Sequence, residues 1–234
     1  MPTPPRKNIP INHYPDGTAS VLRKRTIYTS LRFYQRSDVL YQLTVHFCER
    51  FLPKYGDRTV DQMVQAARST KQNIAEGSSD GQTSFEVEIK LLGISRGSNQ
   101  ELLEDYQDYL KRKGMTEWFG QNPRFEGLHD FCKEHSLYKD YQALLPKMDD
   151  EELANMAICL CHQVDSGLCK HIERLDREFT QEGGIRERMT AARLDQRETQ
   201  KQIIERQARE ISSLQKQLAE ANAELARLRK ELNH

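Results

Sequence analysis

The stretch DDEELANMAICLCHQVDSGLCKHIERLDREFTQEGG, residues 149–184, decides the fold class. Leu153, Met156, Ala157, Leu160, Val164, Leu168, Ile172, Leu175 and Phe179 recur at three- and four-residue steps, the period that lines up side chains on one face of an α-helix. Asp149 and Asp150 complement the positive end of a helix dipole, and Gly183-Gly184 ends the run. Such a helix, roughly seven turns long at its stripe, has to bury that face against other helices.

Three further stripes precede it. From about Ser30, Phe33, Leu40, Leu43, Phe47 and Phe51 mark a first helix, widened by Val39 and stopped by Pro53 and Gly56. Asp57 to Thr59 offer cap oxygens, and Thr59-x-x-Gln62 has the form of a capping box. Val60, Met63, Val64, Ala67, Ile74 and Ala75 then face one way on a second helix predicted to stop at Gly77. A third opens at Thr83-x-x-Glu86, buries Phe85, Ile89, Leu92, Leu102, Leu103, Tyr106 and Leu110, and closes at Lys111-Arg112-Lys113-Gly114. Gly93, Ser95, Gly97 and Ser98 in its middle cost helix propensity, which implies close approach by a neighbouring helix. Residues 115–148 form an aromatic-rich insert with one short helix expected around 125–134. The reading is all-α: an up-down four-helix bundle over 30–184, with that insert.

Outside this core the chain changes character. Ile204, Ile211, Leu218, Leu225 and Leu232 are seven residues apart, and Leu214, Ala221 and Leu228 follow three residues after the middle three. That is an a/d heptad seam from about residue 200, with Gln207 as its polar d position, inside a C-terminal helix spanning 185–234. A helix this polar is marginal alone, so the seam calls for a partner, most simply a second copy. At the other end, residues 1–29 hold five of the eight prolines and read as a largely extended arm.

Thirty-five Lys+Arg balance thirty-five Asp+Glu, but unevenly. Residues 1–34 carry a net +5, 35–180 a net −7 and 181–234 a net +2. This excludes a uniformly basic nucleic-acid coat and leaves two candidate phosphate-contacting stretches. One is the arm, with Arg6, Lys7, Arg23, Lys24, Arg25 and Arg32; the other is the helix start, with Arg186, Arg188, Arg193 and Arg197. A solvated charged surface is the competing reading of each. No run reaches the ~18 apolar residues of a membrane span, and the proline-rich start is unlike a signal peptide. Five cysteines without a regular framework fit reduced thiols, and the expected location is the cytoplasm.

The junction Arg68-Ser69-Thr70-Lys71-Gln72-Asn73-Ile74-Ala75-Glu76-Gly77-Ser78, with Glu88-Ile89-Lys90 and Gly97-Ser98-Asn99-Gln100-Glu101-Leu102 downstream, resembles the bacterial four-helix-bundle protein family. That family includes proteins encoded by intervening sequences in large ribosomal RNA genes and accessory variability proteins of diversity-generating retroelements. The stretch Phe179 to Met189 is similar to the variant with a four helix bundle suffix domain, which extends the likeness to about 30–195. The resemblance implies a bundle often assembled as a pentameric ring. For the retroelement members it implies a non-enzymatic partner of a reverse transcriptase and of RNA or DNA. Those members are strongly basic, whereas 35–180 here is acidic, which moves any nucleic-acid contact to the arm or to residues 185–209. Asn73, Glu76 and Gly77 match the family's junction motif, read as structural: Gly77 permits a left-handed turn at a helix end.

Two chemical patterns compete with this reading. Cys159-x-Cys161-His162 with Cys169 and His171 invites a metal, but one straight helix cannot close a tetrahedral site, and no metal or other cofactor is expected. Arg124-x4-His129 has the spacing of bundle-shaped ribonucleases, with histidine as base and arginine as electrostatic stabiliser. Such a pattern is loose. The expectation is therefore a non-enzymatic oligomeric scaffold, accessory to a nucleic-acid-handling system. The alternatives are a purely structural assembly module and a ribonuclease using Arg124 and His129.

Overall fold

The computed structural model describes residues 9–23, 27–53, 58–120 and 122–232, with side chains to Arg229. Among the described residues the protein is all-α apart from one small β pairing. Its helices are α1 (Arg32–Phe51), α2 (Arg58–Asp80), α3 (Phe85–Lys113), α4 (Pro123–Glu134), α5 (Tyr138–Tyr141), α6 (Asp150–Glu182) and α7 (Ile185–Leu232). Two compact units divide the chain: Leu22–Ile185, and a second that joins residues 9–21 to those from Arg186 onward.

In the first unit α1, α2, α3 and α6 close a cycle, each packing on two of the others. Two apolar clusters fill it. One gathers Phe33 of α1, Ile74 of α2, Phe85 and Leu92 of α3, and Val164, Leu168 and Leu175 of α6. The other joins the C-terminal half of α1 (Leu43, Phe47) to the start of α2 (Met63), the end of α3 (Tyr106, Leu110) and the start of α6 (Leu153, Met156). The four stripes read from the sequence line these clusters, except Ala75, which is in neither, and Phe179, which is 40% exposed at the end of α6. α3 also hydrogen-bonds α1, α2 and α6 through buried polar side chains. Ser95 Oγ donates to Thr70 O of α2 (2.8 Å), Asn99 Nδ2 to Cys161 O of α6 (2.9 Å), and Tyr106 Oη to Thr44 Oγ1 of α1 (3.0 Å). Hydrogen bonds across an apolar core fix helix register, because a shifted register would break them.

The insert packs on α6 and α1. Trp118 N donates to Asn155 Oδ1 (2.6 Å) and Trp118 Nε1 to Glu151 Oε1 (2.9 Å), while Cys132, Tyr141 and Leu145 enter the larger cluster. Asn122 caps α4, with Pro123 in the first turn, where its missing N–H costs nothing. Asp149 forms a full capping box with Glu152 at the start of α6.

Several boundaries differ from expectation. α2 runs on to Asp80, so Gly77 lies inside it, buried and without a positive φ. A Cβ there would meet Leu91 Cβ at 3.2 Å and Glu88 O at 3.3 Å: Gly77 serves the close approach of α2 and α3, not a left-handed stop. Arg58 and Thr59 are already helical, so Thr59 is not an N-cap; Asp57 lies outside the described residues. The cap of α3 is Ser84, not Thr83, accepting from Val87 N (3.3 Å). Ser95 and Ser98 do face α2, but Gly93 and Gly97 face open space.

The second unit contains the other surprise. Residues 9–21, within the arm expected to be largely extended, include an antiparallel pair, β1 (Asn12–His13) and β2 (Ala19–Ser20), turned at Asp16-Gly17. His13 Nε2 meets Asp195 Oδ2 at 3.0 Å, and Arg188 Nε donates to Val21 O (3.3 Å), tying this hairpin to the first turns of α7.

Candidate functional site

On α7, Ile204, Ile211, Leu214, Leu218, Leu225 and Leu228 are between 46% and 63% exposed. Leu232 lies beyond the described side chains. In an isolated chain, therefore, the whole described seam meets water, over a 48-residue helix whose other positions are mostly charged or amide side chains. α3 shows a smaller apolar surface, with Val87 and Ile94 exposed beside Gly93 and Gly97.

The structure separates the basic candidates. Arg6, Lys7, Lys24 and Arg25 lie outside the described residues. Arg32 is exposed at the start of α1, and Arg186, Arg193 and Arg197 are exposed on α7. At 100° per residue the latter three fall within about 40° of one another on the helix surface. Arg188 is 5% exposed and committed to the protein. So is Arg23, whose side chain is 15% exposed. Its Nη1 donates to Gly81 O (2.7 Å) and Glu88 Oε2 (2.8 Å), and its Nη2 to Glu178 Oε2 (3.2 Å). Its guanidinium also stacks over Phe85, 3.6 Å from the ring centroid. As phosphate contacts, Arg23 and Arg188 are thus corrections: each is spent on the fold.

The Arg23 cluster was not foreseen. Glu88, only 2% exposed, receives Arg23 on one oxygen and has His171 Nε2 at 3.6 Å from the other. Burial pushes this carboxyl up, but the His171 and Arg23 contacts outweigh it and hold its pKa below the ordinary value. The cluster pins the segment at Leu22–Arg23 to the α2–α3 turn, where Arg23 N also donates to Gln82 O (3.1 Å). A lone arginine in an arm gives no sign of a partner 65 residues away.

Of the motif residues, Asn73 Nδ2 donates to Ser69 O (2.8 Å) within α2, Glu76 is exposed, and Gly77 is the α2–α3 contact. Arg124 and His129 are not brought together. Five residues apart on α4 they point about 140° from each other: Arg124 lies over Trp118, and His129 stacks on Phe125. Cys161 is buried in the core, His162 is exposed, and His171 is at Glu88. Among the described residues no three His, Cys, Asp or Glu side chains are grouped to hold a metal ion.

An open groove of about 970 Å³ runs along α1 and α2 to α3, with Val45, Val60 and Val64 at its floor and Glu49, Asp61 and Glu101 around it. Its acidity repels phosphate. Among the described residues no helix is long and apolar enough to cross a membrane. Compared with protein-family models, with curated proteins and with solved structures, the chain finds no match in any of the three.

Proposed function

We propose that this chain is a non-enzymatic helical scaffold that assembles with copies of itself through α7. The observation that carries the reading is the exposed heptad seam, since an apolar stripe of this length in water is stable only when covered. The alternation of helix ends in the two core clusters supports an up-down four-helix bundle as the body of each copy. The exposed Val87, Ile94, Gly93 and Gly97 of α3 offer a second surface for neighbours. The family resemblance favours five copies; isoleucine at a with leucine or alanine at d fits lower orders in the tail.

The same resemblance suggests a cytoplasmic accessory to a nucleic-acid-handling system such as a retroelement reverse transcriptase. The feature that favours it is the exposed face of Arg186, Arg193 and Arg197, multiplied in an assembly so that weak phosphate contacts act together. Such binding would tolerate any sequence and weaken steeply with salt. RNA and DNA binding by the full chain and by R186Q/R193Q/R197Q tests this part. Weaker, less salt-dependent binding by the variant supports it; no binding by either protein at low salt leaves a scaffold that touches protein alone.

A further inference from the structure

A second cavity, of about 420 Å³, opens between α1, α4 and α6. Its charged lining is wholly basic: Arg36, Lys133 and Lys170, with His129 and His162, and no carboxylate. That is unusual in a region whose net charge is −7. Cys159 of α6 forms part of its wall. Behind it, within hydrogen-bonding reach, is the thiol of Cys132 on α4, fully buried.

Two polar atoms here lack partners among the described residues. Arg36 Nε is buried and unbonded, although its Nη2 donates to Lys133 O (2.9 Å). Gln163 Oε1 is likewise buried and unbonded, while Gln163 Nε2 stands 3.6 Å from Cys159 Sγ. Buried polar atoms left open at a cavity wall are what a bound polar ligand would satisfy. The Cys132 thiol, then Gln163 and the Arg36 charge, act against burial to lower the Cys159 pKa. Cys132 itself is pushed up, by its hydrogen bond to Cys159 and by burial. Cys159 is the sulfur a ligand in the cavity would reach, and Cys132 lies buried behind it, the arrangement of an attacking and a resolving cysteine.

We propose that Cys159 and Cys132 are a reactive dithiol that takes an anionic low-molecular-weight disulfide, of the glutathione disulfide class, in this basic pocket. The cavity lies in the ~300–1,000 Å³ range of small-molecule sites, with Lys133 and Lys170 at its exposed rim to meet the ligand's carboxylates. Cys159 thiolate attacks one ligand sulfur; the ligand S–S bond breaks, and one half leaves as thiolate, protonated by the proton Cys159 gave up. Cys132 then surrenders its proton, and its sulfur attacks Cys159 Sγ, expelling the second half as thiol. Two protein thiols are oxidised to one disulfide, and one ligand disulfide is reduced to two thiols. The reaction is stoichiometric and independent of the scaffold role.

The test is time-resolved peptide mapping of the full chain treated with glutathione disulfide at neutral pH. Glutathione should appear first at Cys159 and give way to a Cys132–Cys159 disulfide. Cys169, the one cysteine of the five that is partly exposed, should lag, because its partial desolvation and the Asp165 charge raise its pKa. Surface variant K133Q/K170Q should react about tenfold more slowly with glutathione disulfide, yet at an unchanged rate with uncharged hydroxyethyl disulfide. A first adduct at Cys169, or none at any cysteine, would overturn the proposal. An equal effect of the lysine variant on both reagents would overturn the assignment of an anionic ligand.

Discussion

Arg23 and Glu88 show how a single residue's environment redirects its charge. A guanidinium stacked on Phe85 and bonded to Glu88, Glu178 and a carbonyl cannot also bind phosphate. Arg23→Ala would leave Glu88 buried with only His171 nearby, so it should cost about 3 kcal/mol in urea unfolding; R23A/E88Q should recover part of this loss. The linkage has a definite sign. Because Glu88 titrates lower folded than unfolded, its contribution is complete above the ordinary value of 4.5 and is lost as pH falls through the lower folded value. Stability measured from pH 6 down to 3 should fall less steeply for Glu88→Gln than for the parent. An identical acid limb in both proteins would show that Glu88 is not held ionised by these contacts. None of this was legible beforehand: the charge of Arg23 is local in sequence, but its partners are not.

Among the elements, stripes were readable and ends were not. Apart from Ala75 and Phe179, the apolar periods of α1, α2, α3 and α6 lie in or against the core, since burial of a contiguous face is what periodicity encodes. Gly77 misled because glycine fits two needs, a left-handed end and a close helix contact, and only tertiary packing distinguishes them. The one-residue shift from Thr83 to Ser84 has the same origin, since adjacent hydroxyls offer equal caps. Gly167 of α6 presents the contact case in sharper form: a Cβ there would fall 2.6 Å from Phe33 Cβ of α1. Gly167→Ala should therefore destabilise the core by about 1–3 kcal/mol, read as a lower urea midpoint at unchanged slope. A neutral result would mean that α1 and α6 can separate freely. For α7, the helix itself was legible because heptad spacing needs no tertiary context, and Ile185–Leu232 is one continuous helix. Ile211→Asp with Leu218→Asp should abolish association while leaving the unit Leu22–Ile185 folded, as thermal melting by circular dichroism would report. Loss of that transition would place the tail inside the core's folding unit.

At the scale of the whole molecule, net charge differs along the chain, and the longest run of exposed large hydrophobics is on α7. The acidic region 35–180 also lines the 970 Å³ groove, while Arg186, Arg193 and Arg197 give the start of α7 an exposed basic face. This arrangement favours assembly by α7 over a nucleic-acid surface spread across the body. The central claim is self-association, and the most direct check is the molar mass of the full chain by light scattering across a concentration series. Coverage of the seam requires an integral multiple of 27.3 kDa for the parent chain and a fall towards a single copy for I211D/L218D. A parent chain that stays at 27.3 kDa throughout the micromolar range would contradict it.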